Sequence, residues 1–225
     1  MTKASRSYVS EIRTRAASAT KARVLRAAQT LFADRGIDRV TMAQIAKRAK
    51  VSLSTVFALY KSKEGILREL MRSALFGQRF QAAIGRMHGT TDPVKLIALT
   101  ANVARAIYEA ESADLGLVRG VSAFSPALRK LEREFEDLRF QMQKERVVRL
   151  FAQSKQRKGL TLDEARRIMW MYTSRDVYRL LVQEGGWAPD RYQKWLSLTL
   201  VNELVRPASR PTAWTFLEGE RHEEN

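Results

Sequence analysis

With 225 residues and 45% hydrophobic content, the chain can bury one or two sizeable cores, and no apolar run reaches membrane-spanning length. It has no cysteine, which excludes disulfides and thiolate metal sites, and its two histidines, His88 and His222, lie too far apart in sequence to suggest a ligand set. The net charge of +16 is uneven: residues 1–72 hold six Lys and ten Arg against two Asp and three Glu, a local +11, as expected of a chain that meets a polyanion.

Charge alone fits RNA, DNA or a membrane surface. The N-terminus lacks the apolar core of a signal peptide, so the expected compartment is the cytoplasm. Residues 1–18 are polar, with Lys3, Arg6, Arg13 and Arg15, and read as a basic flexible arm able to reach phosphates or a minor groove. A first helix follows from about Ala19 to Asp34. Val24, Leu25, Ala28, Leu31 and Phe32 lie on one face, and Gly36 is the expected stop.

The stretch from Thr41 to Lys63 reads as two short helices joined by a tight turn. Thr41 and Gln44 form a capping-box pattern, and Met42, Ile45, Ala46 and Ala49 give one narrow apolar face. Ala46 leaves room for two helices to cross closely. Ser52 is the N-cap of the second helix, whose inward face is Val56, Leu59 and Tyr60. That points Leu53, Ser54, Thr55, Phe57 and Ala58 outward, where a recognition helix would meet base edges and phosphates. Thr41, Ser52, Leu53, Ser54, Thr55, Phe57, Lys61 and Lys63 are therefore the candidate DNA-binding residues.

These residues also carry a resemblance. The segment TMAQIAKRAKVSLSTVFALYKSKEGIL, preceded by KARVLRAAQTLFADRGIDRVT, resembles the DNA-binding head of the TetR family of bacterial transcriptional regulators. The likeness covers roughly Ala19 to Leu70. It departs at Lys50, where the family usually has Gly, and at Ala58-Leu59, where it often has an aromatic or His. A left-handed Lys50 would cost on the order of 1 kcal/mol.

After the head, Ser62 caps a helix expected to run to about Met87, with Gly77 and Gly85 as possible bend points. Asp92-Pro93 opens a helix to about Ala110, Asp114 to Phe124 forms a short one, and Ser125-Pro126 starts another to about Gln156. Gly159 breaks the pattern. Thr161 and Glu164 form a second capping box, for a helix running through Glu184 and stopped by Gly185-Gly186. Pro189 opens the last helix, to about Val205.

The fold expected is all-α: a three-helix helix-turn-helix domain over residues 19–65, a helical effector-binding and dimerisation domain over 66–206, and a loose tail over 207–225. The C-terminal stretch from Met171 to Val205 looks like the end of many TetR-family chains, whose last two helices pair with a second subunit. That resemblance makes Tyr178, Leu181, Trp195, Leu198 and Val201 candidate homodimer residues. Tyr108, Phe124, Met142, Trp170 and Thr173 are candidate ligand residues for an apolar or amphipathic small molecule. Mid-helix Arg175 and Asp176 would be either a ligand's partner or an ion pair.

The function implied is a repressor that binds a palindromic operator on double-stranded DNA as a dimer and is released by a small molecule. An alternative keeps the fold but makes the body a protein-binding surface in chromosome organisation or division control; an activator role would depend on operator position. No phosphate loop, nucleophile elbow or metal spacing is present, so neither an enzyme nor a cofactor is expected.

Overall fold

The computed structural model describes residues 3–121 and 125–209, with side chains described outside 3–13, 114 and 117–121. It is all-α: among the described residues the only extended pairing is a single bridge between Gln156 and Val205. No helix among them is long and apolar enough to cross a membrane. The chain divides into two compact units. One comprises Met1–Ala74 with Glu111–Arg133, the other Leu75–Ala110 with Glu134–Asn225.

In the first unit, α1 (Lys3–Arg35) takes in the stretch read as a flexible arm, so helix begins well before Ala19. Gly36, at φ 80°, ends it in the left-handed conformation that glycine reaches without a Cβ clash. Val24, Ala28, Leu31 and Phe32 of α1 are buried with Ile37, Val40 and the apolar faces of the short helices that follow. α2 (Met42–Ala49) begins with the expected reciprocal cap. The Thr41 hydroxyl accepts from Gln44 N at 3.2 Å, and Gln44 Oε1 accepts from Thr41 N at 2.9 Å.

Lys50 does adopt the left-handed conformation, φ 52° and ψ 50°, and its N–H reaches back to the carbonyls of Ala46 and Lys47. α3 (Leu53–Tyr60) starts on Ser52, whose Oγ accepts from Thr55 N at 3.1 Å. Its far end turns through Lys61, φ 63°, into α4 (Lys63–Phe76), capped by Ser62 Oγ accepting from Gly65 N at 3.1 Å. A Cβ on Gly65 would lie 2.0 Å from the Tyr60 carbonyl oxygen. Glycine is thus what lets the end of α3 come so close to the start of α4.

The helix expected to continue to Met87 is interrupted. Gly77 is extended, and α5 (Gln78–Gly85) begins after it. The two helices expected between Pro93 and Phe124 are one, α6 (Pro93–Val121). A mid-helix glycine costs about 1 kcal/mol, and burial of residues such as Leu115 on the same helix offsets that cost. α7 spans Pro126–Ala152, ending short of the expected Gln156.

The helix expected from Thr161 to Glu184 is three pieces: α8 (Leu162–Tyr172), α9 (Arg175–Tyr178) and a π-helical turn over Arg179–Glu184. The Thr161–Glu164 capping box is present. Ser174 caps α9 by accepting from Val177 N at 3.3 Å, so Arg175 and Asp176 sit in a first turn, not mid-helix. α10 (Pro189–Leu204) closes the body. The second core gathers Ile97, Ala101, Met169, Tyr192, Leu196 and Leu200, all fully buried, around α6, α8 and α10.

Two substitutions test the backbone constraints of the head. Lys50→Gly should raise stability by about 0.5–1 kcal/mol in chemical denaturation, because it relieves a left-handed non-glycine residue. Gly65→Ala should lower it by about 1–3 kcal/mol, since the new methyl must push against backbone.

Candidate nucleic-acid interface and body cleft

α3 offers its outer face as expected for most of the named residues. Leu53 and Phe57 are 43% and 44% exposed, unusual values for large apolar side chains in an otherwise packed unit. Ser54 and Ala58 are exposed beside them, while Val56 is fully buried and Leu59 and Tyr60 are half-buried. Tyr60 donates to the Lys21 carbonyl at 3.2 Å, tying the end of α3 to α1; burial, with Glu69 nearby, pushes its phenol up to about 12.

Thr55 differs from the expectation. It is half-buried, and its hydroxyl lies 2.7 Å from Ser52 Oγ, which is also 2.9 Å from Ser54 Oγ. The three hydroxyls form a local cluster around the cap, so Thr55 serves the start of the helix as well as its surface. Thr41 and Lys61 are exposed. Lys63 is half-buried and its Nζ reaches the Asp38 carbonyl at 3.4 Å, so it is turned toward the α1–α2 link.

A second basic group escaped the sequence reading. Arg23 and Arg26 on α1 and Arg48 and Lys50 at the end of α2 line one cleft. No carboxylate pairs with any of the four among the described residues; Arg23 only reaches the Thr20 hydroxyl, at 3.5 Å. The i, i+3 spacing of Arg23 and Arg26 put them on one helix face, but which face of α2 they would meet is a tertiary fact.

In the second unit, a narrow cleft opens beside α5, α6 and α7. Tyr108, Met142 and Thr173 line it, as expected. Trp170 does not: it is 36% exposed, with its ring edge-on to Phe140 at 6.2 Å. Phe124 lies outside the described residues, as does the tail from Arg210.

The cleft's polar side is organised by Thr173. Its Oγ1 takes hydrogen bonds from Arg139 at 2.7 Å and from Gln143 Nε2 at 2.8 Å, and donates to the Met169 carbonyl at 2.7 Å. The Thr173 carbonyl accepts from Tyr108 at 2.8 Å and from Arg139 at 3.2 Å. Arg139, only 8% exposed, is further held by Glu136 at 2.5 Å and the Trp170 carbonyl at 2.9 Å. Arg139, Gln143 and Arg146 were not singled out in the sequence. They sit at i, i+4 and i+7 along a densely charged α7, where the one face turned inward cannot be told from the solvated ones.

The candidate dimer residues separate by burial. Tyr178 and Val201 are buried within the chain's own core, at 3% and 1% exposure, and so are not free to face a partner. Leu181, Trp195 and Leu198 remain half-exposed, and Leu180, which the sequence reading passed over, is 52% exposed.

Comparison with known proteins gives these features a context. Residues 24–70 match the family described as bacterial regulatory proteins, tetR family. Over 54 residues, 24% of this chain, it is 43% identical to uncharacterized HTH-type transcriptional regulators of Mycobacterium tuberculosis and Mycobacterium bovis. That match spans 29% of those relatives' length.

Solved structures agree over most of the chain. NalD of Pseudomonas aeruginosa, the secondary repressor of the MexAB-OprM multidrug efflux pump, is 21% identical, with 84% of this chain and 96% of NalD aligned at a TM-score of 0.64. SmeT in complex with triclosan is 17% identical, with 86% and 95% aligned at a TM-score of 0.65. A putative regulator from Saccharomonospora viridis in complex with choline is 21% identical, with 84% and 99% aligned at a TM-score of 0.60. At such identities the likeness is one of fold. Residues 24–70 thus carry the sequence pattern of the tetR family of bacterial regulatory proteins, and the chain as a whole shares the fold of these structures.

Proposed function

We propose that this protein is a transcriptional regulator that binds a palindromic operator as a homodimer and is released when a small molecule occupies the body cleft. The observation that carries the DNA-binding part is the outer face of α3: Leu53, Ser54 and Phe57 exposed on a short helix fixed at both ends. Large apolar side chains left in water at the start of such a helix suit contact with thymine methyls, and the hydroxyl suits a base edge or a phosphate. Lys61 and the cleft of Arg23, Arg26, Arg48 and Lys50 supply positive charge for the backbone on either side.

A single recognition helix touches few base pairs, so a genomic site requires two of them, about 34–36 Å apart on one face of the duplex. The half-exposed Leu181, Trp195 and Leu198, with Leu180, are the residues we assign to the pairing surface. The effector part rests on the cleft, whose apolar walls and few convergent polar groups have the character of a small-molecule site. Triclosan and choline bound to structural neighbours support the same reading. The cleft also favours it over a body that only docks another protein. Release follows if the ligand prefers a body conformation whose paired heads no longer match successive major grooves.

Two variants separate sequence reading from phosphate contact. Phe57→Ala should weaken operator binding by about 1–3 kcal/mol and relax preference at one base position, with the helical content and dimer unchanged. Unchanged operator affinity in a gel-shift titration would remove α3 from the recognition role. Lys61→Gln should weaken binding to all sequences alike and make the salt slope shallower by about one unit; a loss confined to one base would mean that Lys61 reads sequence.

A further inference from the structure

This inference rests on reading the body cleft as an effector site and concerns what kind of molecule it takes. α7 presents Glu136, Arg139, Gln143 and Arg146 along the wall of the cleft, at spacings that keep them on one helix face. Two of these are committed to each other. Arg139 is saturated by Glu136, by two carbonyls and by Thr173 Oγ1, and the Glu136 carboxylate offsets its charge.

Arg146 has no such partner. Among the described residues no carboxylate, carbonyl or hydroxyl bonds to it. Glu145, the residue before it on the helix, is itself paired with Arg149 at 2.5 Å. Burial pushes the Arg146 guanidinium below its ordinary value, yet an arginine stays protonated throughout the physiological range. The cleft therefore holds one positive charge in excess. Beside it, Gln143 is 5% exposed; its Nε2 is used on Thr173, while its Oε1 is buried and accepts no hydrogen bond.

The rest of the lining is largely apolar and partly aromatic. Phe76 packs edge-on against Phe80 at 5.1 Å and tilted against Phe135 at 5.8 Å, and Val103 and Ile107 continue the surface. The cleft is narrow, so a slender body fits better than a bulky one.

We propose that the cleft takes a slender monoanion with an apolar body, an arylalkyl or alkyl monocarboxylate, whose carboxylate pairs with Arg146 and whose body lies along Phe76, Phe80 and Phe135. The planar guanidinium matches a carboxylate with two parallel hydrogen bonds, and that pairing is strong where water is scarce. A hydroxyl or N–H next to the carboxylate would satisfy Gln143 Oε1. A neutral analogue leaves Arg146 unpaired, and a cation is repelled by it.

The test is calorimetric titration of the full-length protein with three probes of matched shape: 4-phenylbutanoate, 4-phenylbutan-1-ol and 4-phenylbutylamine. The carboxylate should bind at least tenfold tighter than the alcohol, with the amine weakest. Arg146→Met should erase the preference for carboxylate over alcohol without lowering the ligand-free melting temperature, since an unpaired, half-buried charge is replaced by an apolar chain of similar length. Arg146→Gln serves as a second neutral variant should the first not fold.

Equal binding of carboxylate and alcohol to the wild type, or a preference that survives loss of Arg146, overturns the anion assignment and leaves the effector site standing. Ala104→Leu, which narrows the cleft, should weaken both ligands. Full-strength binding in that variant, or no binding of any probe to the wild type, overturns the effector reading together with this one.

Discussion

The turn between α2 and α3 is the constraint on which the head depends. Ala46, 4% exposed, lets the two helices approach, and Val51 N bonds back to the Ala46 carbonyl at 3.1 Å. Lys50 must be left-handed for the chain to reverse so tightly, and Ser52 then satisfies a free N–H of the new helix at once. Once that turn is set, Val56 has one place to go, into the core, and Leu53, Ser54 and Phe57 are left on the other side. The exposure of apolar side chains on α3 is thus a consequence of local geometry, held in place from beyond by the Tyr60–Lys21 hydrogen bond and by the close α3–α4 junction at Gly65.

The body has a comparable node in Thr173. It ends α8 with its hydroxyl folded back on the Met169 carbonyl, and both its oxygens are then used by α6 and α7. A residue that closes one helix while bonding two others couples the wall of the cleft to the break between α8 and α9. The π-helical turn beyond it relies on Gly185, where a Cβ would stand 2.7 Å from the Leu180 carbonyl oxygen. This stretch leads into α10, so the cleft and the half-exposed Leu181 and Leu198 share one continuous segment of chain.

Much of this was legible in the sequence where a short-range rule applies. Both capping boxes, the glycine stops at Gly36 and Gly186, the proline at the start of α10 and the inside-outside division of α3 follow from neighbours a few residues apart. The misses share a cause. Gly77 breaks a helix while Gly116 does not, and nothing within reach of a Cβ at Gly116 explains its presence. The choice is made by packing, which the sequence does not display. Thr173-Ser174 did carry a readable signal, a hydroxyl pair that can end one helix and cap the next, and continuous apolar spacing from Ile168 to Leu181 concealed it. Tyr178 and Val201 were misassigned to a dimer surface for the same reason: periodicity identifies an apolar face and not what covers it.

The most direct test of the central claim is selection of genomic fragments by the purified protein, at low and at near-physiological salt. A regulator of the kind described here recovers a shared palindrome, its half-sites about one helical turn apart, and keeps it at the higher salt. Recovery of unrelated fragments that vanish as salt rises would mean that the basic head binds only the backbone, and would contradict the assignment of α3 as a reader of sequence.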